Sequence, residues 1–237
     1  MATVAQQQCL TFPIRTHGRE AVASGPHDML ALLRESTFPD TPPVRLIVLS
    51  GHAAVYRLGL CAAVDHALAG EAVLYVAGAN IFDPFLVGRL ARASRMAPGF
   101  VLRHIHVSRA FTCHQMVRLV TDCLASAIRH YDARRVILAG PLETLYDESV
   151  PEQEATRLFH TMLASLTHLA QEGTQVLCVS PLPMVASGVR CGFLTALCAR
   201  AHRAIEVQET EDGVWLQEQE AGGSRRWTIP RHVWSRL

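Results

Sequence analysis

Every one of the 22 Lys-plus-Arg positions in this 237-residue chain is arginine. That excludes chemistry needing a lysine ammonium from the chain itself: Schiff bases, a lysine general base, or the phosphate-binding lysine of an ordinary P-loop. Arg89, Arg92 and Arg95 recur at helical spacing and share one face. With Arg103 they could touch phosphates, although such a stripe is ordinarily a solvated face. Arg225 and Arg226 beside Trp227 form a basic–aromatic cluster able to stack a base, or simply a hairpin end. Twelve histidines and seven cysteines raise the question of a metal. His104-x-His106 supplies half a site on one side of a strand. Cys113 and His114 are adjacent and face different sides of a helix start. No other pair has zinc-like spacing, so no metal is expected. The cysteines form no C-x-x-C pair and read as free thiols, none singled out as a nucleophile. The net charge of +1 announces no global field for nucleic acid or membrane.

These side chains need a scaffold to position them. The length suits one large domain, and 49% apolar content suits a packed core. No apolar run approaches ~18 residues, so no membrane span is expected. The opening MATVAQQQCL lacks the order of a signal peptide, which points to the cytoplasm. Residues 1–40 read as a lead-in with a short helix at Asp28–Glu35, ended by Pro39, Pro42 and Pro43. Residues 41–237 read as the core. Apolar runs predict buried strands at Val44–Ser50, Ala72–Gly78, Val101–Ser108, Val136–Gly140 and Gln175–Ser180. Helices are expected at Ala53–Gly70 and Phe85–Met96. A third is capped by Thr112 with Gln115, and a long fourth opens at Ser149, Pro151 and Glu152 and stops at Gly173. Period-two alternation at Ile205–Gln208, Val214–Gln217 and Trp227–Ile229, with turn signals at Asp212-Gly213 and Gly222-Gly223, predicts a hairpin tail. The expected fold is α/β: a mainly parallel sheet flanked by helices, with a C-terminal antiparallel hairpin extension.

In this order, several local words resemble the ATPase core of the RecA/RadA-type recombinases, a RecA-like P-loop fold. The resemblance runs from about Val44 to the C-terminus. Its most specific words are VLYVAGANIFDPFLVGRL (Val73–Leu90) and HVSRAFTCHQMVRLV (His106–Val120). VILAGPLETLYD (Val136–Asp147) falls where the family carries its second phosphate-site strand.

The resemblance implies a phosphate site that this chain has altered. A working loop reads G-x-x-x-x-G-K-S/T, so that backbone N–H groups wrap phosphates, Lys holds the terminal ones and Ser/Thr holds magnesium. The matching stretch is Gly51-His52-Ala53-Ala54-Val55-Tyr56-Arg57-Leu58. Tyr56 stands for the second Gly, Arg57 for Lys and Leu58 for the hydroxyl ligand. Ala79 falls where the family has its water-activating Glu, and Gly140 where it has a magnesium-supporting Asp. The polar sensor after the fifth strand falls in Ser180-Pro181-Leu182-Pro183.

Such a chain is expected to be a pseudo-ATPase without a cofactor. ATP binding without hydrolysis, through Gly51 and Arg57, stays open as an alternative. Of the two loops with which the family holds DNA, the first (Pro141–Thr156) carries Glu143, Asp147, Glu148, Glu152 and Glu154 and no basic residue. The second, Met184–Gly192, offers Arg190 alone. Phe193-x-x-Ala196 resembles the element by which family members dock on each other. The expected function is an accessory, partner-binding subunit in DNA repair or recombination. Its partner is a RecA-like protein or a second copy, with no membrane involved. The alternatives are a nucleotide sensor and a weak single-strand-binding module.

Overall fold

The computed structural model describes residues 20–39, 44–78, 81–183, 188–220 and 223–236. Among these residues nine strands form one sheet. They are β1 (Glu20–Val22), β2 (Leu46–Gly51), β3 (Val73–Ala77), β4 (Ile105–Arg109), β5 (Arg135–Ala139), β6 (Gln175–Pro181), β7 (Arg203–Thr210), β8 (Gly213–Glu220) and β9 (Gly223–Pro230). Their order is β1-β9-β8-β7-β2-β6-β5-β3-β4. The strands from β7 to β4 run parallel, while β7–β8 and β8–β9 are antiparallel. The fold class is therefore α/β with a C-terminal antiparallel hairpin, as the apolar runs and turn signals predict.

Helices cover both faces of the sheet. On one side lie α1 (Pro26–Thr37), α2 (Ala54–Leu68), α3 (Pro84–Ala93), α4 (Pro98–Arg103) and the short α9 (Arg231–Trp234). On the other lie α5 (Cys113–Arg118), a π-helical turn (Leu119–Cys123), α6 (Leu124–Tyr131), α7 (Glu152–Gln171) and α8 (Phe193–Arg200). Strand alternation divides the core. Ile47 and Leu49 join the first layer, and Leu46 and Val48 the second. Both faces of the central strands are covered, which is why they read as unbroken apolar runs and not as alternation.

The described part of the lead-in, residues 20–39, is built into this core. β1 pairs in parallel with β9 at the sheet edge. α1 is clasped to α2 by a bidentate Arg34–Asp65 pair at 2.6 and 2.9 Å, and by Phe38 edge-on to His66 at 5.1 Å.

Four local expectations are corrected. Val101–Arg103 is helix, because Pro98 with its fixed φ starts a turn and the strand begins only at Ile105. α3 ends at Ala93, and Arg95 lies beyond it with φ 58°, so it leaves the stripe of Arg89 and Arg92. Pro151, not Ser149, caps α7; the Ser149 amide instead donates to Asp147 Oδ1 at 2.9 Å. Thr112 Oγ1 does accept from the Gln115 amide at 3.2 Å, but Gln115 Oε1 reaches back to the Phe111 amide and not to the cap residue.

Candidate functional site

The expected phosphate loop is wound into helix. β2 ends at Gly51, only His52 and Ala53 connect, and α2 begins at Ala54. Gly51 has φ 125°, and a Cβ there would meet Val207 O at 2.2 Å, so the strand end is pressed against β7. The His52 amide donates to Val207 O at 2.8 Å, the Val55 amide to His52 O at 3.1 Å and the Tyr56 amide to Ala53 O at 3.2 Å. The Ala54 amide donates to His52 Nδ1 at 3.2 Å. The amides that would wrap a phosphate thus bond within the turn or to β7. His52 Nδ1 also lies 3.2 Å from Glu209 Oε2. One nitrogen cannot accept from Ala54 and donate to Glu209 together; the intact helix start favours the first.

The remaining loop residues pack inward. Val55 and Leu58 are fully buried. Arg57 lays its guanidinium over the Trp234 ring at 4.5 Å, and burial lowers its pKa. The buried Tyr56 hydroxyl has no hydrogen-bond partner among the described residues. It and the Glu143 carboxylate close on Gly140 (φ 73°), where an added Cβ would sit 3.1 Å from each. Ala79 lies outside the described residues.

A cleft of about 870 Å³ opens beside this turn, at the carboxyl ends of β2, β6 and β7. Its charged lining is Glu143, Glu206 and Glu209 with the single imidazole of His52; Tyr146 and Leu182 supply apolar wall. Burial raises the Glu143 pKa. The position suits a ligand of an open α/β sheet, but its charge repels a triphosphate.

The basic candidates are dispersed. Arg190, expected on an exposed loop, is 3% exposed. It donates to Leu145 O at 3.0 Å, to Asp147 O at 3.2 Å and to Val150 O, so it clamps the acidic 141–150 stretch. Arg225 pairs with Glu35 and lies 5.0 Å from the centre of the Trp227 ring. Arg226 lies over Trp215 at 4.8 Å and donates to Gln217 Oε1 at 3.1 Å. Arg89 is 3.8 Å from Asp83, and Arg92 folds back along its own helix toward Gly88. They do not form one surface.

Among the described residues no group of three His, Cys, Asp or Glu side chains could hold a metal. His104 Nδ1 bonds Phe100 O at 2.8 Å, and His106 stacks on Tyr131 at 3.7 Å. Cys113 Sγ, His114 Nδ1 and Glu154 form a chain with steps of 3.5 and 2.8 Å. It looks like an activated thiol, but Cys113 is 1% exposed and burial raises its pKa. Phe193 of the Phe-x-x-Ala element is buried, stacked on Phe159 at 4.6 Å, and so cannot dock on another molecule.

The opposite edge of the sheet was not foreseen from the sequence. Among the described residues β4 is the last strand. The bonds Val73 N–H to His104 O and Ala110 N–H to Ala77 O bracket its parallel pairing with β3. The peptide groups of His104, His106, Ser108 and Ala110 therefore turn toward β3, and those of Ile105, Val107 and Arg109 turn outward. Val107 is 38% exposed. Beside the strand runs a groove of about 340 Å³ floored by Leu74 and Val76 and walled by Leu119, Leu124, Ala127 and Tyr131. The π turn at Leu119–Cys123 belongs to that wall.

No protein-family model matches the chain, and no curated protein is similar to it at a significant level. What stands is the class defined by fold and geometry: an α/β protein with a closed strand–helix turn at the centre of its sheet and, among the described residues, an open edge at β4.

Proposed function

We propose that this chain is a catalytically inactive RecA-like protein that works by holding a partner protein. Its role is that of an accessory subunit of a recombinase-type ATPase in DNA repair or recombination. The pathway rests on the resemblance of Val73–Leu90 and His106–Val120 to that family. The observation that carries the inactive reading is the two-residue connection His52-Ala53, whose neighbouring amides are already bonded. With no lysine in the chain and three glutamates around the cleft, neither counter-charge nor cradle is offered to a nucleotide.

The binding reading is supported by the β4 edge. The outward N–H and C=O groups of Ile105, Val107 and Arg109, which have no strand beside them among the described residues, offer a ladder to an added strand, and the adjoining groove offers a pocket for one of its side chains. The occupant is an extended segment of the partner protein.

Co-purification with a lysine-bearing relative encoded in the same genome tests this. Capture of that relative, lost on Ala127→Glu with the fold intact by circular dichroism, is the expected result. A protein that purifies alone beside every such relative contradicts it.

A further inference from the structure

The cleft at the carboxyl end of the sheet holds carboxylates without matching cations. Its lining contains Glu143, Glu206 and Glu209 and no arginine, and its one imidazole, His52, accepts from the Ala54 amide through Nδ1. Glu209 is taken: it accepts from Trp234 Nε1 at 3.2 Å and lies near enough to Arg57 to act on its pKa. The other two are not compensated. Among the described residues Glu206 accepts from the neutral amide of Gln208, at 2.8 Å, and pairs with no cation. Glu143 forms no hydrogen bond or ion pair among them, and burial alone raises its pKa.

The strand register puts these two carboxylates at opposite ends of one row. Ser180 pairs with Ser50, and Ser50 with Glu206. Gly140 follows Ala139, the partner of Val179, and its amide donates to Val179 O at 2.8 Å. Gly140, Ser180, Ser50 and Glu206 therefore lie side by side across β5, β6, β2 and β7. Glu143 Oε2 stands over Gly140, 3.1 Å from where a Cβ would sit. Three strand spacings separate the ends of the row, about 14 Å between Cα atoms.

Between those ends sit hydroxyls without partners. Ser180 is 2% exposed and its Oγ is unpartnered among the described residues. By strand alternation it points to the same side as Ser50 and Glu206, toward the cleft. The buried hydroxyls of Tyr56, beside Gly140, and of Tyr146, on the cleft wall, are unpartnered in the same way. Glu143 is also near enough to Tyr146 to help raise its pKa, after burial and the Cys191 and Cys198 thiols. Carboxylates only accept and hydroxyls can accept, so this row calls for a positive ligand rich in N–H donors.

We propose that the cleft binds a linear aliphatic oligoamine, with one terminal ammonium on Glu143, the other on Glu206, and the methylene chain along Tyr146 and Leu182. Each ammonium brings three donors and no acceptor. At the Glu143 end the Tyr56 and Tyr146 hydroxyls accept beside the carboxylate, and Ser180 accepts from an inner nitrogen. A metal ion needs ligands converging on one point, whereas these carboxylates stand apart. The net charge of +1 gives cations no global attraction, so the recognition is local. The inference concerns β5, β6, β2 and β7 and does not rest on docking at β4.

Spermidine, 1-aminobutane and magnesium chloride are the probes. Each is titrated into the full chain in about 0.15 M sodium chloride, where diffuse attraction is screened. The readout is the shift of the Gly140 and Ser180 amide resonances. Spermidine binds about fivefold more tightly than 1-aminobutane, the contribution of one further ion pair. Glu143→Gln and Glu206→Gln each remove that preference, while Glu172→Gln, on an exposed carboxylate at the end of α7, leaves it unchanged. Equal affinity of spermidine and 1-aminobutane overturns the two-ended site. Magnesium binding as tightly as spermidine overturns the linear ligand in favour of a point charge. Spermidine that leaves both resonances unmoved overturns the proposal outright, and none of these outcomes bears on the β4 edge.

Discussion

The carboxyl end of the sheet and its β4 edge are opposite in nearly every physical respect. At the first, β2 runs into α2 through two residues, the amides are bonded, and the neighbouring cleft carries Glu143, Glu206 and Glu209. At the second, backbone groups face outward and the groove mixes Leu74, Val76 and Leu124 with His106 and Ser108. The RecA-like resemblance directs attention to the first. On the proposed reading, a scaffold keeps its strand order while the place where it meets other proteins moves from a loop to an edge.

The comparison breaks most readily at Gly51. Its Cβ position is occupied by Val207 O, so Gly51→Ala is expected to destabilise the fold by about 2–4 kcal/mol in urea denaturation. A neutral result would mean that the turn has room after all. Next comes Arg190→Leu. It leaves the carbonyls of Leu145, Asp147 and Val150 without their donor, at about 2–3 kcal/mol, and hydrogen exchange should rise over Leu145–Val150.

A pH effect sharpens the other side. His66 is 3% exposed, and burial first, then Arg135 and Arg34, pull its pKa from 6.5 to about 3. It is therefore neutral in the fold and donates to Glu71. The unfolded chain takes up the proton near pH 6.5 and the folded chain only near pH 3. Stability is full above pH 6.5 and falls on acidification through that window, by at most about 1.4 kcal/mol per pH unit. His66→Leu should flatten this slope in denaturation at pH 7, 6 and 5. At the groove itself, Ala127→Glu is expected to weaken partner binding at least about tenfold by calorimetry, with little change in melting temperature. The smallest effect is a null: millimolar ATP or ADP with magnesium leaves the melting curve unmoved.

Much of the fold was legible because two-sided burial writes itself as apolar runs. β2, β3, β5 and β6 follow directly from LIVLS, VLYVA, VILA and VLCVS. The tail was legible from its alternation and its Asp212-Gly213 turn. Val101–Arg103 was not, since the apolar pair Val101-Leu102 is too short to carry a period and Pro98 decided it. The proposed binding edge was hidden for another reason. An edge strand is defined by which neighbour is missing, a property of sheet order and not of the residues of β4. Arg190 was misplaced because a buried guanidinium reads in sequence like an exposed one; only the three carbonyls around it distinguish the two.

One hydrogen-exchange experiment addresses both regions of the molecule at once. The chain is exchanged alone, with magnesium and ATP, and with its captured partner, while phosphate release is followed in parallel. The account predicts that nucleotide leaves Gly51–Leu58 unchanged and releases no phosphate, and that the partner protects Ile105–Arg109 and Leu119–Tyr131. Protection of Gly51–Leu58 by ATP, with phosphate released, would contradict it.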